Sequence, residues 1–577
     1  MLVFLVTSLL SSCSSFLEEK MYSNIDGRDM YSNYESADLA VMGIYSALTN
    51  NSSFGLTWPC VTTYGTDEAR CYFEGTGIND LFFRQSNYSH TAGDVKNLDM
   101  WNTIYSGIKS ANDVYHKVEK MNISRDEKNT LQSEALFLRS YFYFSLVQLW
   151  GGVALEIDEP SSEIVQSRKV KRATVQQVYE QVVSDIEFAK KYLPEQQDPG
   201  YEGRVTKYAA YGMAAKIYLT MASGSRFGVA GYEFFNPQEY YKLAKDNAEE
   251  VIFRSNGKFE LQHDYGQIFS MENKHNSEIL FEANFCVGGP GSYYPKQGGP
   301  LMAGNTDTQK YYYGNYGETG RGYLRPSVYL SLGVYGSEVT VDATKGDVTA
   351  ITSDDVRFEH NIAPAALFSV DSYGNRTWAS LRANPEQWVA YKFSLRTDIM
   401  SGYTWTSTPM NFPILRYADV LLIHTEACGM LDRSNSSSYY GINEVRKRAR
   451  REGTDPDYLQ DYTPADFSTE KDFMDAIMDE RMRELCFEGH RRFDLLRTSR
   501  LFYAINRMKE TDESLSFEYG DGSGKLSKNA IKTDITIQHF DVAIKPYHIL
   551  FPIPQYEMNI VEGPDYQQNP GWASAIE

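Results

Sequence analysis

Apolar residues recurring at three- and four-residue steps run through two long parts of the chain, the period of helices that bury one face. In the first part, from about residue 36 to 253, it is carried by ESADLAVMGIYSAL, DMWNTIYSGIKSANDVYHKV, LQSEALFLRSYFYFSLVQLW, ATVQQVYEQVVSDIEFAKKYL, RVTKYAAYGMAAKIYLTMA and PQEYYKLAKDNAEEVI. In the second, from about 416 to 500, it is carried by ADVLLIHTEACGML, GINEVRKRAR and FMDAIMDERMRELCFEG. Thr174 is placed to cap the helix that opens with VQQVY, and Gly151-Gly152 stop the helix ending at Trp150. Ala210, Met213, Ala214 and Ile217 on one helix, then Ala244, Ala248 and Ile252 on the next, imitate the small/large alternation of a tetratricopeptide unit. The intervening loop is too long for that repeat's period of about 34 residues, so the repeat is degenerate. The expected fold is mainly α, a tetratricopeptide-like helical scaffold.

Residues 255–415 break the pattern. They are rich in Gly, Tyr, Pro and Asn, with short strand-like runs such as EILFEANF and QWVAYKF. GGPGSYYPKQGGP and QKYYYGNYGETGRGY are incompatible with a regular helix. A long irregular stretch inside a helical protein is usually functional or disordered, and its aromatic content argues against disorder. The expected organisation is a helical part over 36–254, a loop-rich part over 255–415 and a C-terminal helical part with its tail over 416–577.

Composition limits the partners. A formal net charge of −20 opposes binding to nucleic acid, whose phosphates demand a basic surface. It equally opposes adhesion to anionic lipid through basic patches. The chain carries 43 Tyr beside 30 Phe and 7 Trp, an unusual supply of flat side chains with a polar tip. None of the nine His lies three to five residues from another and no CxxC pair occurs, so no metal or cofactor pattern is present.

Residues 484–494, ELCFEGHRRFD, place Cys486, His490 and Asp494 at four-residue steps, the residue types of a nucleophile, base and orienting acid. Two features oppose catalysis. Cys486 lies between Leu485 and Phe487, the usual address of an inert buried thiol, and Gly489 interrupts the helix that would align the three. The alternative is a structural ion-pair network around Glu484, Glu488, Arg491 and Asp494, extended by Glu480, Arg481, Arg483, Arg492 and Arg497 where two helices meet at a Gly turn. Asp354 and Asp355 are adjacent and would point to opposite faces of an extended run, which opposes an acid–base pair. EYGDGSGKLS lacks the Gly and Ser/Thr of a P-loop and reads as a surface loop.

Two aromatic stretches suit ligand binding better. Sugar rings stack their C–H faces on flat side chains while their hydroxyls seek carboxylates, amides and Arg. Tyr293, Tyr294, Tyr311, Tyr312, Tyr313 and Tyr316 offer such rings, with Asn305, Asp307 and Asn315 beside them. GLTWPCVTTYGTDEARCYF offers Trp58, Tyr64, Asp67, Glu68, Arg70, Tyr72 and Phe73. The competing use of each ring is packing between loop and helix.

The apolar run MLVFLVTSLL is too short to span a bilayer and fits a secretory signal. It stops at Leu10-Ser11-Ser12-Cys13, which resembles a bacterial lipobox. Residues 1–12 are then expected to be a signal peptide, Cys13 the lipidated residue, and 13–35 a tether. The five remaining cysteines, Cys60, Cys71, Cys286, Cys428 and Cys486, are odd in number and scattered, so no disulfide framework is indicated.

With the lipobox cysteine, the ordered blocks SEALFLRSYFYFSLVQLWGGVAL, GRVTKYAAYGMAAKIYLTMA, PILRYADVLLIHTEA, INEVRKRA, DERMRELCFEGHRRFDLLR and FPIPQYEMN…QNPGW resemble the SusD/RagB family over essentially the whole chain. The resemblance implies a surface-exposed, outer-membrane nutrient-binding lipoprotein whose three parts intertwine as one SusD-like domain, with 255–415 as its irregular ligand-binding part. It implies an oligosaccharide ligand bound without cleavage, a peptide or other nutrient being the alternative. It also implies a partner, a SusC-like TonB-dependent barrel over which the protein sits as a lid. The shared blocks belong to the scaffold, so the aromatic candidates are not carried over by motif. A glycoside hydrolase with aromatic subsites and a pure interaction scaffold are the competing functional classes.

Overall fold

A computed structural model describes residues 30–55, 57–70, 78–159, 171–285, 324–341, 348–363, 366–370, 376–381, 389–393, 410–451, 457–514, 544–561 and 566–572. Its first part is a succession of helices: α1 (Tyr34–Thr49), α2 (Thr57–Thr63), α3 (Ile78–Asn87), α4 (Val95–Glu119), α5 (Arg125–Trp150), α6 (Val175–Tyr192), α7 (Lys207–Arg226) and α8 (Pro237–Ile252). Local chemistry sets their ends. Ser124 and Glu127 close a capping box on α5, and Thr174 and Gln177 do the same on α6. Helix α5 stops at Gly151, whose φ of +72° a residue with a Cβ adopts only under strain.

Helix α5 is the axis of this part. Every side chain from Leu131 to Val147 is buried, and α4 and α6 flank it. A helix buried all round must neutralise its own charges. Arg139 grips Asp185 of α6 with two bonds of 2.7 Å, and Glu134 accepts from Arg204 (2.9 Å) and the Tyr45 hydroxyl (2.7 Å). The pair α7–α8 packs through Ala210, Met213, Ala214 and Ile217 against Ala244 and Ala248, all buried, as the alternation of small and large residues anticipates.

The second helical part comprises α9 (Phe358–Asn361, one turn), α10 (Tyr417–Leu431), α11 (Tyr440–Ala449), α12 (Glu470–Leu485), α13 (Arg491–Arg497), α14 (Leu501–Ser514) and α15 (Gln555–Ile560). The helical block expected over 416–500 extends further: after a break at Ser499 (φ +54°) the chain resumes as α14. Leu501, Ala504, Ile505 and Met508, all buried, repeat the helical period there. Helix α10 lies against α7, α8, α11 and α12, so the two helical parts share one core. The tail closes over the end of α5: Phe551 N–H donates to Leu149 O (2.7 Å) and the Trp150 indole donates to Pro552 O (3.1 Å).

Strands are short. β1 (Ala69–Arg70) pairs antiparallel with β3 (Arg325–Pro326), and β2 (Ile279–Ala283) with β10 (Phe412–Arg416). β6 (Ile362–Ala363) pairs with β9 (Val389–Ala390). The strand-like runs EILFEANF and QWVAYKF contain β2 and β9. A four-stranded sheet in the order β4 (Glu338–Val341), β5 (Val348–Thr352), β8 (Arg376–Leu381), β7 (Ala366–Val370) was not anticipated. Runs such as EVTV and VTAIT are too short to show a clear alternation in sequence.

Candidate functional site: an ion-paired junction beneath the loop ends

The stretch ELCFEGHRRFD is a junction between two helices. α12 ends at Leu485, the chain turns through Phe487 (φ +67°) and Gly489 (φ +78°), and α13 begins at Arg491. A Cβ on Gly489 would lie 2.7 Å from Thr62 Oγ1, so the turn also brings α2 close.

Cys486, His490 and Asp494 do not form a relay. The Cys486 sulfur lies 3.8 Å from the Tyr335 hydroxyl and 3.8 Å from Arg483 O, and burial pushes its thiol up to about 12. His490 Nδ1 is taken by Lys216 Nζ at 2.7 Å; burial and then that ammonium pull the imidazole down to about 3. Asp494 instead accepts from Arg481 (2.8 Å) and Arg497 (3.1 and 3.0 Å).

Around this turn three ion-paired groups sit inside the protein. Glu484 is contacted by Arg357 (3.0 Å), Arg416 (3.1 Å) and Arg448 (2.5 Å). Burial alone would raise its carboxyl; Arg448, Arg416 and Arg357 overcome that and hold it well below the usual carboxylate range. Glu488 takes two bonds from Arg416 (2.7 and 2.8 Å) and one from Lys392 (2.8 Å). The Glu484 carbonyl at the end of α12 is satisfied by the Tyr265 hydroxyl (2.9 Å), Lys392 and Arg416 (3.0 Å each). A second group joins Arg481, Asp494, Arg497, Asp419 and Lys216.

The third group corrects one of the ligand-binding expectations. Arg491 holds Asp67 in a bidentate pair (2.8 and 2.7 Å), with Asp67 1% exposed. Glu68 accepts from Phe487 N–H, and burial pushes its carboxyl up to about 8. Trp58 is buried and stacks on Phe493 (5.6 Å), while Tyr64 and Arg70 are buried too. Trp58, Tyr64, Asp67 and Arg70 are therefore interior side chains, not an exposed platform, and Trp58 and Asp67 tie α2 and the following loop to the junction. Composition alone gives the same residue list for either use; the deciding fact is the distant Arg491.

That loop has a positional consequence. Arg70, the last described residue before 71–77, lies opposite Arg325, and Ala69 opposite Pro326, just past the point where the chain returns from 286–323. Ser327 N–H donates to Glu68 O (2.9 Å) and its hydroxyl to Asp67 O (2.5 Å). At the other end of 286–323, Phe285 N–H donates to Asn411 Oδ1 (2.9 Å) and Phe285 O accepts from Lys274 Nζ (2.8 Å). Ala390 N–H donates to Leu324 O (3.2 Å), and Phe393 stacks on Phe412 (5.1 Å). Residues 390–393 thus join the two fastenings, with Lys392 reaching into the junction below. Tyr72, Tyr293, Tyr294, Tyr311, Tyr312, Tyr313 and Tyr316, like Cys13, lie outside the described residues.

Several junction partners are not adjacent to it in sequence: Glu278, Arg357, Lys392, Arg416 and Arg448 come from five separate segments. A charge inside an otherwise apolar run, as in PILRYADVLLIH, was the available signal. Asp355, rejected as a catalytic acid, is buried and pairs with Arg357 (2.7 Å). Among the described residues no group of three or more His, Cys, Asp or Glu side chains is placed to hold a metal ion, and no helix is long and apolar enough to cross a membrane.

Two family models match the chain. One, described as the SusD family, covers residues 368–572; the other, described as starch-binding and associating with the outer membrane, covers residues 16–219. Together they span more than half of the sequence. The chain belongs to the SusD/RagB family. It is 24% identical to the SusD-like protein P25 of Formosa agariphila, across 97% of this chain and 95% of that protein. A crystal structure of a SusD homolog from Bacteroides thetaiotaomicron superposes with a TM-score of 0.71 at 21% identity, covering 94% of this chain and 97% of that one. A laminarin-binding SusD-like protein superposes with a TM-score of 0.66 at 19% identity, covering 94% of this chain and all of that one. These likenesses agree with the helical, tetratricopeptide-like architecture described above.

Proposed function

We propose that this SusD-family protein is a cell-surface glycan-binding lipoprotein that captures an oligosaccharide and passes it, uncleaved, to a SusC-like TonB-dependent transporter of the outer membrane. Lipid on Cys13 anchors it, and the tyrosines of 293–316 provide the stacking surface. The observation that carries the reading is the frame under the loops. Before the tyrosine-rich stretch Phe285 is fastened to Asn411, and after it Arg325–Ser327 pair with the loop that the buried Asp67–Arg491 pair holds, so both flanks of the stretch are anchored on the helical core. The family's starch-binding description and the laminarin-binding relative point to glycan as the ligand class. The acidic surface then serves solubility, and partner contact is made through loops and helix edges.

Electrophoresis through gels containing starch or laminarin, paired with an assay for released reducing sugar, tests both halves. Retardation without released sugar is expected. Released sugar would replace capture with hydrolysis. Absence of retardation on every glycan, with retention of a peptide, would move the ligand class. Retention of neither, with tight association to the barrel, would leave an interaction scaffold.

A further inference from the structure

A second feature with binding chemistry lies on the helical scaffold. Residues 154–159 run along α4: Tyr105 hydroxyl donates to Ala154 O (3.0 Å), Asn112 to Glu156 O (2.5 Å), and Lys120 pairs with Glu159 (2.6 Å). Between this segment and the N-terminal half of α4 opens a cleft of about 230 Å³. Half-buried Tyr105 lies at its base, beside the edge of Trp101, which is 2% exposed and packs edge-on against Trp150 at 5.2 Å. None of its lining residues belongs to β1, β2, β3, β9 or β10, the strands that hold the loop ends.

The rim is unusual. Asn102, Ser106 and Lys109 stand exposed on successive turns of α4, with Glu156 on the opposite wall. None of these four side chains has a hydrogen-bond or ion-pair partner among the described residues. On either side the same helix spends its polar groups: Lys96 on Asp99, Asn97 on Pro552 O, Asn112 on Glu156 O, and Lys117 on Asp113. At the cleft, by contrast, Asn102, Ser106 and Lys109 keep their side-chain polar atoms without a partner among the described residues.

The set of free groups selects among ligands. An amide, a hydroxyl, an ammonium and a carboxylate together offer donors and acceptors beside the half-buried Tyr105 ring. A phosphate or sulfate would meet Glu156 and also Glu557, which closes the far end. A bare cation would meet Lys109, and an apolar chain would displace water from the four polar groups and return no hydrogen bond. Sugar hydroxyls both donate and accept, and satisfy all four. The volume falls short of the ~300–1,000 Å³ that encloses a drug-sized ligand, which suits one ring with the chain continuing outside. We infer that the α4 cleft is a second carbohydrate subsite, taking a single neutral sugar unit of a longer glycan. The inference rests on the glycan-binding reading but not on the loop tyrosines. One ring gives weak affinity alone. Two sites on one polymer gain avidity, by up to ~10²–10⁴-fold where the geometry allows both to engage.

The test uses the full chain carrying Tyr311→Ala, Tyr312→Ala and Tyr313→Ala, which disables the loop surface. Saturation-transfer NMR with glucose, galactose, mannose and xylose at millimolar concentration should show transfer to at least one sugar. Adding Asn102→Ala and Lys109→Ala should abolish it, with an unchanged melting curve because both side chains are exposed and unpaired. Transfer that persists undiminished, or that is absent while the cleft is intact, would overturn the inference. The loop reading fails separately: if the triple tyrosine variant is still retarded in glycan gels, the stacking surface lies elsewhere, whatever the cleft result.

Discussion

Replacing Arg491 by Ala should be among the most damaging single changes in the molecule. Asp67 is 1% exposed, and both its carboxylate oxygens are held by that guanidinium. Removing the cation leaves an ionised carboxylate buried without a counter-charge, at a cost of about 3–5 kcal/mol. Arg491 also donates to Met478 O (2.7 Å), so a further bond worth about 1 kcal/mol goes with it. Replacing both partners by uncharged groups of similar shape, Asp67→Asn with Arg491→Met, removes the stranded charge and should recover most of the loss. The assay is urea unfolding of the wild type, both single variants and the double variant, closed as a double-mutant cycle. Glycan binding by Arg491→Ala should weaken as well, because Asp67 and Glu68 carry the backbone bonds that fasten Ser327. A loss below about 1 kcal/mol in Arg491→Ala, the range of a solvent-exposed pair, would refute the argument. So would a double variant no more stable than Arg491→Ala.

Other outcomes follow from the same geometry. Cys486→Ser should retain full ligand binding, and native protein at pH 8 should leave Cys486 unalkylated, since burial pushes its thiol up to about 12; loss of binding by a well-folded variant would contradict this. Gly489→Ala should cost about 1–3 kcal/mol in urea unfolding, because a Cβ there meets both a positive φ and Thr62 Oγ1. Glu68 is held protonated up to about pH 8, whereas an unfolded carboxyl ionises near its usual value. Its stabilising contribution is complete below the unfolded value and is lost as pH rises towards 8, at no more than about 1.4 kcal/mol per pH unit. Glu68→Gln should remove that slope from the stability–pH curve. His490 works in the opposite sense: its folded value is near 3, so its contribution is lost as pH falls below its unfolded value, and His490→Gln should flatten the acid side of the curve.

What the sequence revealed and what it hid divide along a physical line. Helix period, caps and the Gly151 stop are local, so α5, α6 and the α7–α8 pair were legible from residues a few places apart. The junction was legible as a type of structure, because Arg and Glu in such density on one short apolar helix must neutralise each other, but its partners were not. Glu278, Arg357, Lys392 and Arg416 reach it from more than sixty positions away, and nothing local in their segments names a counter-charge. The same non-locality misplaced Trp58, Tyr64, Asp67 and Arg70. A ring, a carboxylate and a guanidinium in one loop describe a sugar site as well as they describe a buried clamp, and only the distance from Asp67 to Arg491 separates the two. The clamp then fixes where the chain re-enters the described scaffold: Phe285 and Leu324 lie next to ladders of two to five residues. Ladders so short are marginal alone. The buried charges beneath them, Asp67–Arg491 and Glu278–Arg416 among them, tie those ladders to the helical core.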